Sequence, residues 1–130
     1  MSKKLPNYKD KQYTLYIKQY PEKDLIAHGD GFLEAGRISD AIDFYQKANY
    51  VQGLEKIKNI AEVSGDVMLL QQVQKPLKQT INEETWAAIG QRALELKKYL
   101  FALYAFEKSD NGSMVGRIKE IIKSEDDVKH

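Results

Sequence analysis

Residues 36–49 read GRISDAIDFYQKAN, and the fold depends on whether this stretch is one isolated amphipathic helix or half of a repeated pair. Ala41, Ile42, Phe44, Tyr45 and Ala48 recur at intervals of three and four, which lays them on one face of an α-helix. Gly36 is the residue type that closes a preceding helix with a left-handed turn, and Ser39 is the expected N-cap of the helix that follows. Upstream, Leu25, Ile26, Phe32 and Leu33 keep the same spacing. A helix starting near residue 22 therefore meets a second one after a short bend, as an antiparallel hairpin.

The same periodicity continues downstream. Leu54, Ile57, Ile60 and Ala61 predict a third helix that ends before Ser64-Gly65-Asp66, and VMLLQQV at 67–73 a shorter one that stops near Pro76, since proline disfavours helical geometry in the residue before it. Thr80 or Asn82 caps a helix carrying Trp86, Ile89, Ala93, Leu94 and Leu96, and helices from about Tyr99 to Lys108 and Met114 to Lys123 follow. YTLYI at 13–17 is a short strand candidate. The expectation is an all-α chain: a basic segment over 1–21, flexible or capping, one helical body over 22–124, and a tail over 125–130.

Shifted by 61 positions, residues 25–66 fall on 86–127 without a gap, with ten identical pairs that include Gly29 with Gly90, Leu33 with Leu94, Glu34 with Glu95, Ala41 with Ala102 and Ile57 with Ile118. Tyr45 with Phe106 and Ile42 with Leu103 extend the agreement along the same faces. Repeated helical units stack because each leaves an apolar stripe that only its neighbour covers. The alternative is a compact bundle whose helices share composition, but composition sets no fixed offset.

Both copies resemble the tetratricopeptide repeat. Trp86, Ile89, Gly90, Ala93, Ala102, Phe106 and Ser109 stand at its intervals in the second copy, and Leu25, His28, Gly29, Phe32, Ala41, Tyr45 and Ala48 in the first. The period of 61 is longer than the family's, no proline follows the second helix, and Ala93 stands where an aromatic is expected. The resemblance implies a right-handed α-α superhelix of helical hairpins with extra helices, in which glycine and alanine allow close helix approach and Tyr45 and Phe106 fill the space between hairpins. It further implies a concave partner-binding face made of Lys23, Ile26, Asp30, Leu33 and Glu34 in the first copy and Glu84, Ala87, Gln91, Leu94 and Glu95 in the second. Members that grip a terminal carboxylate use Lys and Asn where this chain has Ile26 with Asp30 and Ala87 with Gln91. A groove ligand would then be a mixed apolar and basic segment, because Asp30, Glu34 and Glu95 repel carboxylates. The same residues could instead face water or other helices.

Chemistry is sparsely represented. The absence of cysteine removes disulfides, thiolate metal sites and thiol nucleophiles. Histidine occurs only as His28, expected to pack between helices, and His130 at the end, so neither a metal nor a cofactor is expected. HGDGFLEAG lacks the glycine spacing and the preceding strand of a phosphate loop, and KSDNGSMVGRIKE puts Ile118 where a calcium loop needs glutamate. Glu34 and Glu95 read as solvated helix ends rather than a catalytic pair, and Asp66 and Asp127 as ends of the third helices. No leader or membrane-spanning stretch is read in the sequence, so the expected location is the cytoplasm. The expected function is a non-catalytic protein-protein interaction or scaffold module. Two alternatives stand beside it: a self-associating homo-oligomeric subunit, and nucleic-acid binding through Tyr8, Tyr13, Tyr16 and Tyr20, interleaved with five lysines against Asp10 in the first twenty residues.

Overall fold

The computed structural model describes residues 20–129, with side chains described through Asp127. The strand candidate at 13–17, the capping or nucleic-acid role of residues 1–19 and His130 lie outside the described residues. Among the described residues seven helices follow one another: α1 (Glu22–Glu34), α2 (Ile38–Lys47), α3 (Val51–Ser64), α4 (Val67–Leu77), α5 (Glu83–Glu95), α6 (Tyr99–Lys108) and α7 (Gly112–Lys129). There is no strand among the described residues, which are all-α. It divides into two compact units between Ile57 and Lys58, within α3.

The offset of 61 read in the sequence is present in the backbone. The bounds of α1 and α2 recur in α5 and α6, and the start of α3 recurs in α7, each 61 positions later. The turns agree as well: Gly36 and Lys97 have φ of 77° and 60°, and Asn49 and Asp110 have φ of 54° and 56°. Each turn closes by the same pair of bonds. The Gly36 and Arg37 amides donate to the Leu33 and Phe32 carbonyls, and the Lys97 and Lys98 amides donate to Leu94 and Ala93. That double closure satisfies carbonyls that a helix end leaves without partners.

In the first unit, α1 and α2 meet across aromatic rings. Phe32 and Phe44, both fully buried, stack with centroids 5.2 Å apart, and the Arg37 guanidinium lies 4.7 Å from the centre of the Phe32 ring. Tyr45 is 1% exposed and occupies a slot made by two glycines. A Cβ on Gly29 of α1 would lie 2.5 Å from its ring, and one on Gly53 of α3 would lie 2.7 Å from it. The tyrosine therefore fills space between α1 and α3.

The second unit uses the same plan with different volumes. Phe106 seats against Gly90, where a Cβ would lie 3.0 Å from the ring, and Ala93, Ala102, Phe106 and Ile118 form its buried centre. The stacked pair Phe32 and Phe44 is replaced by Ala93 and Ala105. The α3–α4 turn packs directly on this position: Ala93 is fully buried, and a Cβ on Gly65 would stand 2.8 Å from its Cα and 3.3 Å from its Cβ. The departure of Ala93 from the repeat pattern thus coincides with close packing against this turn. Around the same turn, Arg92 Nε donates to the Val63 carbonyl at 2.7 Å and Lys98 Nζ to the Ser64 carbonyl at 2.6 Å. These cations stabilise a helix end that has no basic residue in its own last turn.

Several boundaries differ from the expectation. Ser39 lies inside the first turn of α2 rather than capping it, because Gly36 closes α1 and the next residue, Arg37, already occupies the N-cap position. Asn82, not Thr80, caps α5, with its Oδ1 accepting from the Thr85 amide at 2.8 Å. Asp66 caps α4 instead of ending α3, since its Oδ1 accepts from the Leu69 amide at 3.0 Å. Pro76 lies within the last turn of α4, which ends one residue later, before Lys78 in the left-handed conformation with φ of 56°. The third helix of the second copy starts at Gly112, capped by Asn111, and runs to Lys129, through most of the expected tail. Where α3 meets Gly65 at φ of 63°, α7 has Asp126 and continues.

Candidate interaction surfaces

The ten residues assigned to a concave face lie on α1 and α5, five in each unit. In the first unit Lys23, Asp30 and Glu34 are exposed while Ile26 and Leu33 are half-buried; in the second, Glu84, Gln91 and Glu95 are exposed while Ala87 and Leu94 are half-buried and pack against the Phe106 cluster. Ala87 and Leu94 are therefore partly committed to the core. Two of the exposed residues are also engaged within their own units. Asp30 Oδ1 accepts from the Tyr45 hydroxyl at 2.6 Å, and Glu95 Oε2 pairs with Arg92 at 3.0 Å. His28 takes the packing role expected of it, its ring 5.5 Å from Phe44 and edge-on to Tyr20 at 6.1 Å.

A larger apolar feature lies in the second unit, at the α5–α6 turn. An open groove of about 660 Å³ runs between that turn and the C-terminal part of α7. Lys97 and Lys98 stand on the turn side, Glu125 and Asp126 on the α7 side, and Tyr99, Leu100, Phe101 and Ile122 supply apolar surface between them. Leu100 is 73% exposed, and Leu96 before the turn and Tyr104 one turn further along α6 are exposed with it. Tyr104 is fixed in place by a hydrogen bond from Gln71 Nε2 at 2.8 Å and by the edge of the Trp86 ring.

Two phenols are electrostatically displaced. Burial, then the hydrogen bond to Asp30 and its charge, pushes the Tyr45 pKa well above the ordinary tyrosine value. Desolvation, then the Glu125 carboxylate, raises that of Tyr99. For Tyr45 the sign is fixed by linkage. The unfolded chain releases the phenolic proton near pH 10 while the folded chain retains it, so stability is full below that pH and is lost as pH rises toward the raised folded value. Alkaline unfolding followed by circular dichroism between about pH 9 and 12 is expected to show this loss, and Tyr45→Phe to flatten it. An equal pH slope in the Phe variant would show that Tyr45 is not its source.

No protein family, curated protein or solved structure matches the chain. Among the described residues, no helix is long and apolar enough to cross a membrane. The groove at the α5–α6 turn was not among the sequence-derived sites, yet the sequence carries a sign of it. YLFALYAFEK, the sequence of α6, is apolar nearly all round, whereas its counterpart ISDAIDFYQK is polar on one side. A helix apolar on both faces needs either complete burial or a second contact.

Proposed function

We propose that this chain is a non-catalytic protein-binding module, a divergent tetratricopeptide-like array whose hairpins stack in a right-handed superhelix and present α1 and α5 to a partner. The observation that supports this reading most is the recurrence of helix bounds and left-handed turns at one offset of 61. Repetition at that fidelity is what a stacked array requires, and a bundle sharing only composition has no need of it. Rigid packed hairpins also hold a surface with little ordering cost on association.

The exposed members of the face, Lys23, Asp30, Glu34, Glu84, Gln91 and Glu95, are predominantly acidic. They favour a partner segment with basic residues beside apolar ones. The test is capture of partners from native lysate by the wild type and by a Glu34→Lys, Gln91→Lys variant, both exposed positions whose replacement leaves the core intact. Loss of the wild-type partner set in the variant, with unchanged helicity, supports the reading. An identical partner set in both would refute the α1 and α5 face as the binding surface.

A further inference from the structure

We infer that the groove at the α5–α6 turn is a self-association surface, and that its occupant is the same groove of a second copy of this chain. The inference is independent of the partner-binding role of α1 and α5, since it rests on other residues.

The first observation is that the exposed apolar groups are not required by the repeated fold. Leu96 and Leu100 correspond at the offset of 61 to Ala35 and Ser39. The first hairpin adopts the same helix bounds and the same left-handed turn with these small or polar residues. An apolar side chain as exposed as Leu100 therefore contributes nothing the hairpin needs, and calls for a contact outside the monomer.

The second observation is the distribution of charge. The turn side is cationic through Lys97 and Lys98, and the α7 side is anionic through Glu125 and Asp126. Lys98 and Glu125 already have partners inside the unit, the Ser64 carbonyl and the Tyr99 hydroxyl. Lys97 and Asp126 are exposed. The anionic side exists only because α7 continues where α3 stops at Ser64 and Gly65. A partner of single sign would be attracted by one side and repelled by the other. A second copy related by a twofold axis meets each side with its opposite: Lys97 faces Asp126 of the other copy, twice, while the exposed Leu100 of each copy lies against the apolar surface of the other.

The experiment is sedimentation velocity of the full chain over a concentration series, with four variants. The wild type is expected to pass from monomer to dimer. Leu100→Asp, at a position too exposed to disturb folding, is expected to weaken the dimer by about thirtyfold or more, as loss of a central apolar anchor does. Lys97→Glu and Asp126→Lys are each expected to weaken it by about tenfold, and the double variant to recover most of that loss because the pair is reversed rather than removed. Circular dichroism verifies that each variant is folded. A wild type that is monomeric throughout the series overturns the proposal, as does a dimer unaffected by Leu100→Asp. Failure of the double variant to recover the loss rejects the twofold pairing of Lys97 with Asp126. A monomer that instead binds an added amphipathic peptide in the groove would assign the surface to a foreign segment and likewise overturn it.

Discussion

Gly65→Ala is expected to destabilise the second unit by about 2–5 kcal/mol, with a large fall in the denaturant midpoint followed by the fluorescence of Trp86, the chain's one tryptophan. Two effects add at this position. The backbone has φ of 63°, which strains a residue with a side chain, and the new methyl would lie 2.8 Å from the Ala93 Cα and 2.9 Å from its amide nitrogen. Neither of those atoms can rotate away. Relief would require α5 to retreat from the turn, lengthening the Arg92 and Lys98 hydrogen bonds to the Val63 and Ser64 carbonyls. Gly36→Ala separates the two effects. It has a similar φ of 77° but nothing within 4 Å of the added methyl, so its cost is only the left-handed strain, about 1 kcal/mol. Lys97 already holds the equivalent conformation with a full side chain. Equal losses for the two variants would show that the contact with Ala93 contributes nothing.

That contrast also shows why the sequence was informative about one kind of feature and silent about another. Helix existence was legible because the apolar spacing at Leu25, Phe32, Ala41 and Tyr45 reports which face is buried, and all four are buried. The turn at Gly36 was legible because glycine closes helices. Its counterpart turn carries Lys97, which has no such signature, although the offset of 61 aligns it with Gly36. Ala93 looked like an exception because the residue packed on it, Gly65, lies 28 positions away, a contact that no local pattern records.

The interaction surfaces were legible in smaller part. The repeat resemblance placed Ala87 and Leu94 on an outward face, and both are half-buried against the Phe106 cluster, since the side of a helix that faces a neighbour is wider than the pattern of fully buried residues suggests. The groove escaped because it combines a turn with a helix more than twenty positions away, and because the length of α7 depends on Asp126 standing where the first copy has Gly65. The absence of any helix breaker after Gly116 was the available sign.

Tyr45→Ala is expected to be the most damaging substitution in the first unit, at about 3–5 kcal/mol by chemical denaturation followed by circular dichroism. The ring is 1% exposed, and Gly29 and Gly53, against which it lies, have no side chains with which to close the space it leaves. The hydroxyl contributes less, because its partner Asp30 is exposed and water replaces the lost bond. Phe106 fills the equivalent place in the second unit without a hydroxyl. The dominance of volume over the polar contact has a second-site test. Gly29→Ala alone is unfavourable, since its methyl would lie 2.5 Å from the Tyr45 ring, but in the Tyr45→Ala background that methyl enters vacated space and replaces a poor helix former. The double variant is therefore expected to be more stable than Tyr45→Ala by about 1 kcal/mol, a reversal of sign between backgrounds. If Gly29→Ala carries the same cost in both backgrounds, the slot between Gly29 and Gly53 is not what holds the tyrosine, and the seat of the ring must lie elsewhere on α1 or α3.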